Sequence, residues 1–239
     1  MFATCVGDVA FPNAIIATVK LLERLGVEVS FPQAQGCCGQ MHENSGFPDL
    51  AIPMVRSFAE AFSGCDLIVA PSGSCVGSIR HQMLSVARRS GDESLVSHVQ
   101  EIVPRVRELT EYLVDDLGLV DVGAVFPHRV AYHPSCHSLR VARVGTRPYD
   151  LLRNVEGLEL VEQENADSCC GFGGTFSVKN SDVSSAMLTD KLDAITSSGA
   201  EFVTSLDVSC LMQIGGGLAH ERSGVRTVHL AEILAGTVN

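Results

Sequence analysis

Eight of the nine cysteines fall into a set that occurs twice. Cys5 is separated by 31 residues from the adjacent pair Cys37 and Cys38, and 36 more lead to Cys75. Cys136 is separated by 32 residues from the pair Cys169 and Cys170, and 39 more lead to Cys210. Four thiolates gathered at one point suit a soft metal, either zinc or an iron–sulfur cluster. Zinc sites usually take two ligands from a C-x₂₋₄-C turn, and ferredoxin-type clusters also favour C-x₂-C runs; neither spacing occurs in this chain. Adjacent cysteines point their side chains apart and serve different irons, or a bridging role, more naturally than one ion. The spacing leans toward iron–sulfur and leaves zinc open. Disulfides within the adjacent pairs would be strained. Cys65, just ahead of an apolar run, reads as a small hydrophobe.

The sequence around the cysteines repeats as well. GCCGQ in the first half answers SCCGFGG in the second, PSGSCVG answers LDVSCLM, and VRELTEYL parallels VHLAEIL. His133 and His137 flank Cys136, and His42 follows the first pair. Each could hydrogen-bond a sulfur or replace a ligand, though a polar or surface role is the plainer reading. Gly171, Gly173 and Gly174 could cradle an anion ahead of a helix. They do not make G-x-G-x-x-G, and close backbone approach to a cluster explains them as well.

Elements that position these residues alternate between strand-like and helix-like periods. Residues 13–25 predict a helix with Ile16, Val19, Leu22 and Leu25 on one face, Asn13 as a cap and Gly26 as its end. Residues 27–31 read as a strand, and short apolar runs at 67–70, 130–132 and 202–204 read as buried parallel strands. The first strand, residues 2–5, is short, which suggests truncation or a start upstream. A helix is expected over 108–117. The pattern β-α-β-α-β-α, twice, predicts an α/β fold of two similar Rossmann-like βαβ half-domains with parallel sheets, related by internal duplication. They would span residues 1–120 and 121–239, with the seam near 119–128. In open α/β sheets, sites form beyond the carboxyl ends of the strands, where these cysteine loops fall.

The stretches FATCVGDVAFP, GCCGQMHENSGF, PSGSC, YHPSCHSLR, CCGFGGTFSVKN, SCLMQIGG and VRTVHLAEIL resemble the CCG cysteine-rich domain family over essentially the whole chain. That family includes the cysteine-rich subunit of heterodisulfide reductase and the iron–sulfur subunit of glycolate oxidase. The resemblance implies iron–sulfur cofactors, one [4Fe-4S] cluster per half, and electron transfer in L-lactate oxidation beside companion lactate-utilization iron–sulfur proteins. Carried over by position, Cys5, Cys37, Cys38 and Cys75 would bind one centre, and Cys136, Cys169, Cys170 and Cys210 the other. The heterodisulfide reductase pattern ends each repeat in C-x-x-C; Ser78 and Gln213 stand there instead. That puts a five-cysteine cluster and disulfide-cleaving chemistry in doubt. Zinc in one or both sites, in a structural subunit, is one alternative; a heterodisulfide-reductase-like thiol/disulfide redox enzyme is the other, against which Ser78 and Gln213 argue.

Composition narrows the remaining classes. A chain of 239 residues, 46% hydrophobic, is long enough for real cores. Mean hydropathy is +0.21, yet charges or glycines interrupt every apolar stretch before a spanning length, so membrane contact is expected only through partners. The start MFATCVGDVAFP has neither the basic nor the apolar part of a secretory signal, which points to the cytoplasm and reduced thiols. A net charge of -11 without a Lys/Arg cluster argues against nucleic acid. No hydrolase motif and no dinucleotide fingerprint occurs, so a hydride step would belong to a partner.

Overall fold

The computed structural model describes residues 1–237. In the first half α1 (Cys5–Ala10), α2 (Pro12–Arg24), α3 (Gln40–Asn44) and α4 (Ile52–Phe62) precede β1 (Ile68–Ala70). Then come α5 (Gly73–His81), α6 (Met83–Arg89), α7 (Glu93–Ile102), β2 (Val106–Glu108) and α8 (Leu109–Glu111). The second half runs β3 (Arg129–Tyr132), α9 (Arg147–Arg153), β4 (Glu159–Val161), α10 (Phe176–Lys179), α11 (Ser181–Ser197), β5 (Phe202–Ser205), α12 (Val208–His220), β6 (Arg226–His229) and α13 (Leu230–Ala235).

Among the described residues the strands form two parallel sheets, β1-β2 and β4-β3-β5-β6. The apolar runs expected as buried strands become β1, β3 and β5, and their inward residues Ile68, Val130 and Val203 are fully buried. The expected strands at 2–5 and 27–31 are not formed as regular strands. The chain start nevertheless lies beside β1, the Phe2 N–H donating to Val69 O at 2.9 Å, and residues 27–31 lie beside the chain start, Ser30 O accepting from the Met1 ammonium at 2.6 Å. Cys5 belongs to α1, because Thr4 at φ 59 turns the chain out of the sheet direction.

Two local expectations are corrected. Asn13 does not cap α2; Phe11 precedes it and Pro12 occupies the first turn, where a missing N–H costs nothing. Its buried face is Ala14, Ile15, Ala17, Thr18, Leu21 and Leu22, with Ile16 half exposed, so the stripe is rotated from the one expected. Gly26, at φ +81, ends the helix as predicted. In the stretch 108–117, Glu108 is the capping residue of α8, and the helix continues as a wider π-type turn over Tyr112–Asp116.

Four apolar clusters hold the described residues together, the smallest of them Met1, Ala3 and Ile15. One lies in the first half around the rings of Phe2, Phe58 and Phe62, whose centroids are 4.7–5.8 Å apart. A second lies around Leu192, Ile195, Val203, Ile214 and Leu218. The largest joins the halves, bringing Leu21 and Leu22 of α2 to Leu230, Ile233 and Leu234 of α13, with Leu109 and Leu113 against Leu151 and Leu152. Arg24 fastens α2 to α13 by donating to Leu234 O at 2.7 Å and Ala235 O at 3.2 Å, carbonyls that a helix C-terminus leaves unpaired.

Candidate metal centres

Each cysteine set is assembled from helix starts and one loop. Cys5 opens α1, Cys75 lies in the first turn of α5, and Cys210 lies in the first turn of α12. Cys136 begins the helical turn that leads into a π-type segment, Ser138–Ala142. Free N–H groups and the dipole at a helix start favour negative charge, which suits sulfurs that would carry charge as metal ligands. The adjacent pairs sit in loops closed by glycine. Gly39 (φ +88) and Gly171 (φ +84) adopt left-handed conformations that turn their N–H groups onto Cys37 Sγ and Cys169 Sγ, each at 3.4 Å. The glycine of C-C-G is thus needed for its backbone: a Cβ on Gly171 would lie 2.5 Å from Ser184 O.

In the first set Cys5 Sγ is 3.4 Å from Cys37 Sγ. Hydrogen bonds from Cys38 and Cys5 hold the Cys37 thiol far below the usual thiol range, while the same bonds and burial push Cys5 and Cys38 up. The second set behaves alike: Cys136 and Cys170 hold Cys169 down and are themselves raised. One sulfur per set is therefore favoured as thiolate by the protein alone. Ionising Cys5, Cys38, Cys136 and Cys170 calls for a cation among them, because a coordinating metal deprotonates thiols outright. All nine cysteines are free thiols.

All eight repeated cysteines line one cavity of about 170 Å³, so the two sets open onto a shared space. Between them lies Asp207, fully buried, whose carboxylate accepts from the hydroxyls of Ser72, Ser135 and Ser138 and from the Ser74 N–H. Burial pushes Asp207 up, but these donors outweigh it and hold the carboxyl below its ordinary value. The network ties first-half loops to the start of α12. Lys191 is also fully buried and donates to Asn165 O and Ala166 O at 3.0 and 3.1 Å. Burial lowers its pKa, while the thiols of the second set oppose that shift.

Sequence reasoning singles out neither Asp207 nor Lys191. The Asp207 position two residues before a Ser-Cys helix start is a legible capping signal; nothing local marks Lys191, which sits on the polar pattern of α11. Ser78 and Gln213 do not line the cavity: Ser78 is buried on α5, and the Gln213 amide donates to Ser184 Oγ at 3.3 Å. Cys65 packs beside the first-half core. Of the histidines, His137 Nδ1 lies 3.5 Å from Cys136 Sγ. His133 is fully buried, and burial first, then the charge of Lys191, lowers its pKa to about 4, so its ring is neutral at pH 7. Gly171, Gly173 and Gly174 all have positive φ, and Gly173 and Gly174 line the cavity.

The family model for the CCG cysteine-rich domain matches residues 1–80 and 130–215. This chain belongs to the CCG cysteine-rich domain family. Similar proteins include the lactate utilization protein A of Oceanobacillus iheyensis, 41% identical over 98% of this chain and 95% of that protein. Those of a Geobacillus species and of Macrococcus caseolyticus are 42% and 43% identical, over 98% of this chain and 97% and 94% of theirs.

The donor set of this CCG chain fits a metal centre in each half. It offers four sulfurs per set, glycine N–H groups aimed at two of them, and helix starts behind four. Among the described residues no helix is long and apolar enough to cross a membrane.

Proposed function

We propose that this CCG chain is the iron–sulfur electron-transfer subunit of an L-lactate oxidation system, acting beside companion iron–sulfur proteins in the cytoplasm. The observation that carries the reading is the pair of four-cysteine sets lining one cavity, each with its C-C-G loop closed in the same way. The relatives' name, lactate utilization protein A, supports the lactate assignment. Cys5, Cys37, Cys38 and Cys75 would hold one cluster, and Cys136, Cys169, Cys170 and Cys210 the other. The clusters would supply one-electron chemistry at thiolate-ligated iron.

The chain's own groups shape the environment. Glycine N–H groups and helix starts stabilise the sulfur charge, apolar cores limit water, and the Asp207 network holds the two sets in fixed relation. The substrate-oxidising step is assigned to a partner, in keeping with a cavity wall that, among the described residues, is thiol-rich and holds no arginine or lysine.

We further propose that the halves, 1–120 and 121–239, arose by duplication. Three features support it: the repeated cysteine spacing, the two matched regions, and parallel backbone contacts such as Phe2 N to Val69 O and His133 N to Thr204 O. Heterodisulfide-type chemistry is disfavoured because Ser78 and Gln213 lie away from the cavity. A zinc-bound structural subunit is the second reading, favoured by the grouping of one imidazole with two thiols in the second half.

Anaerobic purification followed by iron, acid-labile sulfide and zinc analysis, with EPR before and after dithionite, separates the two. Iron matched by sulfide and a reducible signal is the expected result, and Cys170→Ser should remove about half of both while abolishing lactate-dependent reduction. Stoichiometric zinc without sulfide would overturn the electron-transfer reading.

A further inference from the structure

The two cysteine sets differ in one buried side chain. Phe2 and His133 each lie three residues before the first cysteine of their set, and each donates its backbone N–H to the neighbouring strand, at 2.9 Å to Val69 O and 2.8 Å to Thr204 O. They hold the same register. In the first half the side chain is apolar, and Phe2 packs edge-on against Phe58 and Phe62.

In the second half the same place holds an imidazole that is completely buried, with neither ring nitrogen hydrogen-bonded to any described residue. A buried polar group without a partner is costly, and native proteins keep one only where something else satisfies it. The charged groups nearby are committed elsewhere: the Lys191 ammonium to two backbone carbonyls, and Asp207 to three serine hydroxyls and a backbone N–H. What the ring does face is sulfur. A ring nitrogen of His133, Cys170 Sγ and Cys210 Sγ all lie within 4.8 Å of one another, close enough to share a single metal ion.

We propose that His133 is a ligand of the second metal centre, binding metal through one ring nitrogen alongside the cysteines of that set. This rests on the reading that the sets hold metal, but not on which metal. The imidazole donates a nitrogen lone pair and its other nitrogen keeps the proton, so no oxidation or proton release is needed. The first centre is then ligated by sulfur alone and the second by sulfur and nitrogen.

The test uses the full chain, purified anaerobically with its own metal from cells fed ordinary or ¹⁵N-labelled histidine. Iron, sulfide and zinc are assayed on the same samples. With iron and sulfide present, pulsed EPR of the dithionite-reduced chain should show one strongly coupled nitrogen that changes with the label. It should persist in His42→Asn and His137→Asn and be lost in His133→Phe, which copies the first half. Absence of a strongly coupled nitrogen in the wild-type chain, or its survival in His133→Phe, overturns the proposal and leaves the electron-transfer reading standing. The wild-type label with the two asparagine variants still decides if His133→Phe fails to fold. Zinc without sulfide overturns the electron-transfer reading instead; zinc-edge absorption must then show a nitrogen neighbour among the sulfurs, and an all-sulfur shell overturns the ligand assignment. A chain that holds no metal even after reconstitution overturns both.

Discussion

Single residues set how tightly each loop grips its sulfurs. At Gly171 a side chain meets two obstacles, a φ of +84 and the Ser184 carbonyl 2.5 Å from the new Cβ, whereas at Gly39 the nearest atom is Ala51 Cβ at 3.1 Å. Gly171→Ala should therefore cost more than the roughly 1–2 kcal/mol of left-handed strain alone. It should deplete metal from the second centre only, and Gly39→Ala should be milder; urea midpoints and iron per chain check both. Glu108 carries a pH effect. Burial, against the opposing bonds from Thr110, raises its pKa from 4.5 to about 8. Between those values the folded chain keeps a proton that the unfolded chain has released. The stabilisation is full below pH 4.5, declines as pH rises and is gone above about pH 8. Glu108→Gln should flatten that decline, read as the urea midpoint across the same window.

At the scale of elements, the contact that matters most for both centres is α5 against the π-type segment that follows Cys136. It is close because α5 presents glycines: a Cβ on Gly73 would fall 1.9 Å from Ser138 Oγ, and one on Gly77 would fall 3.0 Å from Val141 Cγ1. Cys75 stands on one side of this contact and Cys136 on the other, with the Asp207 network threaded through it. Gly73→Ala should push the elements apart, at a cost of about 1–3 kcal/mol from overpacking. Unlike Gly171→Ala, it should lower metal content in both centres together, as metal analysis with EPR of each signal would show.

For the whole molecule, the largest apolar cluster is shared: α2 closes on α13, and Leu109 and Leu113 close on Leu151 and Leu152. Each half leaves part of that surface open without the other. Fragments 1–120 and 121–239 expressed separately should fail to fold, and the intact chain should unfold in a single calorimetric transition with equal calorimetric and van't Hoff enthalpies. Two separated transitions would show instead that the halves are thermodynamically independent.

What the sequence by itself determined was whatever is written in type and spacing. The doubled C…CC…C set, the glycine after each pair, and the apolar runs that became β1, β3 and β5 were legible because each follows from local chemistry: sulfur for soft metals, glycine for positive φ, continuous apolar residues for a buried parallel strand. The family was legible for the same reason. Edge regions were not: residues 2–5 and 27–31 have strand composition, but whether they pair regularly depends on neighbours far along the chain. The buried face of α2 was not legible because its partner is α13, some two hundred residues away. Only the tertiary structure decided that the two cysteine sets share one cavity, that Asp207 and Lys191 are buried beside it, and that His133 stands where the first half has Phe2. Burial and convergence belong to the packed chain, since no residue's own type records what will surround it.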